Sequence, residues 1–187
     1  AQSSTWRTSL ASRLSAQLAC TQTNVLLLSY LDSTPIDLGA EVKKTAEEFR
    51  LQAEEKGLRL QAQLPSRPVW AKADKGGVQI VLQNLLSNAI KYTEKGGMWL
   101  RVCKEEREVL IEVEDSGIGM EADVAEGLFE PFRQESEGVS REYEGTGLGL
   151  AVTREAVEQM GGSVEVETEK GEGSCFTVRL PQAREKA

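Results

Sequence analysis

No histidine occurs among the 187 residues of this chain, and it has only three cysteines and five prolines. Without imidazole the chain lacks the one side chain whose ordinary pKa lies near neutrality. It also lacks the commonest nitrogen ligand of zinc. Cys20, Cys103 and Cys175 are odd in number and widely separated, so they form no metal-ligand spacing and read as thiols of a reducing compartment. Large aliphatic residues never run longer than Val25 to Leu28, far short of a membrane span, and no signal peptide is visible. Basic residues are outnumbered 22 to 30, for a net charge of −8, which argues against nucleic acid as a partner. A small anionic ligand remains compatible, because backbone amides and helix starts hold phosphates locally. The expected setting is cytoplasmic, either free or as part of a membrane-anchored protein.

What is present sorts into two parts. Residues 5 to 32 contain neither glycine nor proline, and Leu10, Leu14, Leu18, Val25 and Leu28 share one helical arc. Such a stripe covers the domain's own core or forms half of a helical hairpin or dimer seam; its near-heptad spacing favours the second. Pro35 separates this helical part, residues 1–34, from the rest, residues 35–187. There a helix is expected over 38 to 56, a half-buried strand over 58 to 64 and a short strand over 69 to 73. A second helix runs from Asp74 to about Thr93, followed by a hairpin over 98 to 114 and a short helix near 124 to 129. A last helix spans 148 to 160, and strands over 164 to 168 and 175 to 180 close the chain. Helices alternating with mostly antiparallel strands predict an α+β two-layer sandwich.

Glycine marks the chemistry. Asp115-Ser116-Gly117-Ile118-Gly119 ends one strand, and Gly145-Thr146-Gly147-Leu148-Gly149 opens a helix. A carboxylate at Asp115 can accept from an exocyclic amine, and Gly117 and Gly119 let a planar base approach. The second run aims free amides at a phosphate, although no Lys-Ser or Lys-Thr follows to make it a P-loop. Upstream, Asn84, Asn88 and Lys91 lie within about 60° of one another on their helix, beside the apolar arc of Val78, Leu82, Leu85 and Ala89. Amide oxygens suit magnesium, which takes its remaining ligands from water and substrate phosphates. Arg133 and Arg141, between the glycine runs, can reach a terminal phosphate. Taken singly, each feature has an ordinary reading: a solvated helix face, an Asp-Ser-Gly turn, a hinge, or surface charges. Their order and spacing together point to a nucleotide pocket.

These motifs resemble the boxes of the sensor histidine kinase catalytic domain, in the superfamily that also holds gyrase, the Hsp90 chaperones and MutL. Asn84 to Thr93 resembles the N box, Asp115 to Gly119 the G1 box, Phe129-Glu130-Pro131-Phe132 the F box and Gly145 to Gly149 the G2 box. Gly171-Glu172-Gly173-Ser174 resembles the final glycine motif. The resemblance implies a Bergerat-type sandwich that binds ATP and Mg2+. It implies that Asp115 reads adenine, that Asn88 holds the metal with support from Asn84, and that Lys91 and Tyr92 line the ribose and phosphate side. Gly145, Thr146, Gly147 and Leu148 would wrap the phosphates, the F-box phenylalanines would anchor a lid, and Thr177 would reach the base.

In the ATPase branches the position matching Asn84 is a glutamate acting as general base; asparagine cannot take a proton, so the resemblance implies γ-phosphoryl transfer rather than hydrolysis. The family's acceptor histidine, on the first helix of a dimerising hairpin, is absent from this chain. The favoured expectation is that residues 5 to 32 are the second hairpin helix and that the acceptor lies outside the chain. Homodimerisation and a response-regulator partner would follow. The alternatives are a histidine-less nucleotide-sensing module, a superfamily ATPase and a kinase of protein hydroxyls.

Overall fold

The computed structural model describes residues 31–130 and 148–184. The helix expected over 5 to 32 therefore lies outside the described residues, except that Leu31 and Asp32 belong to an irregular lead-in. Among the described residues no helix is long and apolar enough to cross a membrane.

Strand β1 (Thr34–Asp37) leads directly into helix α1 (Leu38–Glu55). Asp37 caps α1 by accepting from the Gly39 amide at 3.0 Å, which satisfies one of the helix's orphan donors. Leu38, Val42, Ala46 and Ala53 recur on the helical period and are buried. Gly57, at a φ of +72°, turns the chain out of the helix. Strands β2 (Arg59–Gln63) and β3 (Trp70–Ala73) precede α2 (Lys75–Tyr92). Asp74 caps α2 through its Gly77 amide bond of 2.8 Å. Then come β4 (Gly97–Lys104), β5 (Glu108–Asp115), the short α3 (Ala122–Glu126), α4 (Gly149–Gln159), β6 (Ser163–Glu169) and β7 (Gly173–Pro181).

The main sheet has the order β2-β4-β5-β7-β6. Its β2–β4 pair is parallel and the other three pairs are antiparallel. One face carries Leu100, Val102, Val109, Ile111, Val113, Phe176, Val178 and Leu180 into a single core with α1, α2 and α4. Fully burying a Leu or Ile side chain contributes about 1.5–3 kcal/mol, so this layer contact is the dominant stabilising term. The opposite face is polar, with Arg101 bridging Glu112 and Glu114 across β4 and β5. The architecture is the expected α+β two-layer sandwich.

One element was not anticipated. Thr34–Asp37 pairs antiparallel with β3, so the segment around Pro35 is a strand and β3 belongs to a two-stranded sheet of its own. Four residues containing a proline give too short a pattern to read as a strand, and proline is tolerated there because the strand is at an edge. This small sheet is tied to the main one by an Ala71–Gln182 bridge and by the Ala183 amide donating to the Trp70 carbonyl at 2.9 Å.

Candidate nucleotide site

Asp115 is the last residue of β5, and its alternation with Val109, Ile111 and Val113 turns its side chain toward the helix layer. It is 8 % exposed, a buried carboxylate. Burial pushes its pKa up, the amides of Gly117 and Ser174 pull it back, and the neighbouring Glu114 charge adds to the rise. Its Oδ1 accepts from the Gly117 amide at 2.8 Å. The remaining lone pairs are acceptors only, the polarity that matches an exocyclic amine.

The loop after Asp115 is locked by backbone. The Ile118 amide donates to the Tyr92 carbonyl at 3.1 Å, which ties the loop to the end of α2. A Cβ on Gly117 would stand 2.5 Å from that carbonyl oxygen. Gly119, at a φ of +60°, lies so close to the Glu169 carbonyl that any Cβ would overlap it, and Gly173 is equally tight against the Asp115 carbonyl. The Gly171 amide completes the junction by donating to the Ile118 carbonyl at 2.7 Å. Glycine is required at 119 and 173 on two counts, left-handed φ and close backbone approach. Ile118, at 44 % exposure, is one of two large apolar side chains left open among the described residues.

Two hydroxyls on this wall were missed in the sequence. Ser174 is registered opposite Asp115, which puts both on the helix-facing side of the sheet. Thr168 donates to the Gly173 carbonyl at 2.9 Å and accepts from the Met120 amide at 3.0 Å. Its single proton is thereby committed, so the 3.0 Å contact with Ser174 must be donated by Ser174. Ser174 is left as an acceptor beside Asp115. Thr177 requires a correction. Phe176 and Val178 on either side of it are core residues, so Thr177 points to the polar face, registered with Glu112 and Glu165. The sheet itself separates Thr177 from Asp115.

On α2, Asn84, Asn88, Lys91 and Tyr92 are all half-buried. The Asn84 amide donates to the Gly149 carbonyl at 3.0 Å and to Thr153 Oγ1 at 3.3 Å. The Asn88 side chain makes no hydrogen bond to another described residue. Lys91 Nζ sits 4.7 Å from the centre of the Tyr92 ring. Thr93, the C-cap of α2, is fully buried, and its hydroxyl has no hydrogen-bond partner among the described residues. No group of three or more acidic, cysteine or histidine side chains is placed to hold a metal ion among the described residues. A magnesium ion would therefore take most of its ligands from phosphate and water, which fits a lone amide such as Asn88.

Leu148 and Gly149 open α4, whereas Gly145, Thr146, Gly147, Arg133 and Arg141 lie outside the described residues, as do Pro131 and Phe132. Phe129 is packed on the core, its ring edge-on to Phe176 at 6.4 Å. The described residues form walls rather than a closed cavity. Shallow concavities among the described residues lie elsewhere, at the β4–β5 turn around Lys104–Glu108 and in a groove between α1 and β2.

A family model described as histidine kinase-, DNA gyrase B- and HSP90-like ATPase matches residues 73–184. The chain belongs to that family. Within it, the likeness is to sensor histidine kinases. The circadian input-output histidine kinase CikA of Synechococcus elongatus is 42% identical over 126 residues, covering 67% of this chain and 17% of that protein. The sensor histidine kinase RcsC of Escherichia coli is 44% identical over 117 residues, covering 63% of this chain and 12% of that protein. The crystal structure of full-length ShkA in complex with AMPPNP superposes with a TM-score of 0.78 at 30% identity, covering 95% of this chain and 39% of that one. The matched segments are thus minor parts of these longer proteins.

Proposed function

We propose that this chain binds Mg-ATP and donates the γ-phosphoryl to a histidine on a dimerising hairpin, as the catalytic domain of a two-component sensor kinase. The observation that carries this reading is the chemistry at position 84, where a general base for hydrolysis would stand. The side chain there is an amide, already hydrogen-bonded to Gly149 and Thr153. It cannot accept a proton, so water has no activating partner at that point. What remains is positioning and charge stabilisation, which suit phosphoryl transfer to an external nucleophile.

In this reading Asp115 and Ser174 accept hydrogen bonds from the base, and Ile118 offers it apolar surface. Asn88 supplies an amide oxygen to the metal, while Lys91 and the α4 amides face the phosphates. Arg133, Arg141 and the glycines 145 to 147 complete the phosphate side from residues outside those described. A bound magnesium ion would neutralise phosphate charge as the γ-phosphoryl leaves. The AMPPNP of the ShkA complex supports nucleotide binding by this fold. A response regulator as downstream acceptor, homodimerisation through the N-terminal helix and a cytoplasmic setting extend the same proposal.

The test mixes the chain with a separate fragment bearing an acceptor hairpin and with γ-labelled Mg-ATP. Label on the histidine, lost when Asn88→Ala is used, is the expected result. Nucleotide binding with no labelled histidine identifies a sensing module instead. Steady phosphate release without the acceptor identifies an ATPase.

A further inference from the structure

We infer that Asn84 is a positioning residue that latches the end of the glycine run to α2, and that it does not ligate the metal. This rests on the nucleotide-binding reading above and concerns how the phosphate side is held in register. Gly149 is both the last glycine of the run and the first residue of α4. A carbonyl oxygen only accepts, so the Asn84 amide must turn its nitrogen toward Gly149, at 3.0 Å. Thr153 is fully buried, an unusual place for a hydroxyl, and it donates to the same carbonyl at 2.9 Å. The Asn84 amide also lies 3.3 Å from Thr153 Oγ1, where the hydroxyl oxygen accepts, so each member satisfies another. A Cβ at Gly149 would sit only 3.6 Å from Asn84 Oδ1, which shows how closely the amide lies along the start of α4.

The consequence comes from helix direction. Met160, just past the end of α4, packs at the opposite end of α2: its sulfur accepts from the Asp74 amide at 3.4 Å and would meet a Cβ on Gly77 at 3.2 Å. The two helices therefore run antiparallel, pinned at Met160 and at Asn84. Beyond the N-terminus of α4, one turn further along α2, stands Asn88, about 5–6 Å from Asn84. The free amides of α4 are thus aimed toward the Asn88 side of the groove. The Asn84–Gly149–Thr153 latch sets that alignment, so a phosphate on the α4 amides and a metal on Asn88 become neighbours. Asn84 acts on the ligand through α4.

The test uses the full chain with AMPPNP as probe, in two titrations: nucleotide at saturating Mg2+, and Mg2+ at fixed nucleotide. Asn84→Ala and Thr153→Val should each weaken nucleotide binding by about two- to tenfold, the worth of one or two neutral hydrogen bonds. With nucleotide saturating for each variant, their Mg2+ half-saturation should stay well below that of Asn88→Ala, and the double variant should be little weaker than the weaker single one. Thr153→Ser, which keeps the hydroxyl, should restore binding. Asn88→Ala should instead raise the Mg2+ requirement. Two results overturn the latch: Asn84→Ala shifting Mg2+ half-saturation as Asn88→Ala does, or Thr153→Val binding as wild type. A wild-type chain that binds no nucleotide overturns the underlying reading, a different and distinguishable failure.

Discussion

On the side of the candidate site proposed for the base, the backbone itself does the fixing. Gly119 against Glu169, Gly173 against Asp115 and Gly117 against Tyr92 are approaches that only glycine permits, and amide–carbonyl bonds at Ile118 and Gly171 close the junction. On the side proposed for the phosphates, side chains do it: Asn84 and Thr153 hold Gly149, and Lys56 reaches the last carbonyls of α2. A wall built from backbone contact has one geometry and tolerates no added atom. A wall built from side-chain hydrogen bonds can be altered one group at a time. A planar base needs a fixed shape, whereas a triphosphate and its metal must be taken up, reacted and released, so the two constructions accord with the proposed roles.

Glycine substitutions should break this comparison most sharply. Gly119→Ala forces a Cβ into the Glu169 carbonyl and imposes a left-handed φ on alanine. Displacing backbone on that scale should cost on the order of 3 kcal/mol, at the upper end of ordinary point-mutant losses. Gly149→Ala meets nothing closer than 3.6 Å and sits at a helix start, where alanine is favourable. It should melt within a few degrees of wild type. Denaturation of the two variants side by side checks this, and equal losses would mean that the two walls are not built differently.

Asp115 comes next. Its folded pKa is raised, so the folded domain binds that proton more tightly than the unfolded chain does. Stability from this group is therefore lost as pH rises from the unfolded pKa through the folded one, and the penalty persists at neutral pH. Asp115→Asn removes the buried charge while its Oδ1 can still accept from Gly117. The variant should melt higher than wild type at neutral pH, with a weaker decline in stability from acid to neutral. In exchange, preference for ATP over GTP should fall by about 1–3 kcal/mol, the cost of a mismatched buried polar contact. Stability and recognition would then be opposed at one residue. A variant that melts lower at neutral pH, or discriminates as wild type, contradicts the role assigned to Asp115.

Much of this site was legible because its residues are of types that ordinary packing does not require. Asp74 before an apolar helical period marked α2, and Asp115 ending an alternating apolar strand marked the wall proposed for the base. Thr177 was misread although the evidence was local: Phe176, Val178 and Leu180 already define the buried parity of β7. The same parity, carried across the β5–β7 register, brings Ser174 to Asp115, but that register is a tertiary fact. So is the Asn84 latch, whose partner lies 65 residues away and becomes visible only when α4 docks antiparallel on α2. Thr34–Asp37 escaped because four residues around a proline carry too little pattern.

The smallest expected effect tests whether the phosphate side depends on dispersed surface contacts as well as on its latch. Lys56, exposed just past α1, donates from Nζ to the carbonyls of Ile90 at 2.6 Å and Lys91 at 3.0 Å. Those carbonyls belong to the last turn of α2, where the helix leaves acceptors unpaired and carries its negative end. A cation there satisfies the acceptors and opposes the dipole, and it holds the turn that carries Lys91 and Tyr92. Lys56→Met keeps the apolar stem and removes the charge. At low ionic strength it should lower stability by about 0.3–1 kcal/mol, and the difference should shrink as salt screens the interaction. The salt dependence separates this from lost packing, which salt would leave in place. A loss that is larger and independent of salt would make Lys56 part of the packed framework, and the phosphate side would then be less adjustable than its hydrogen bonds suggest.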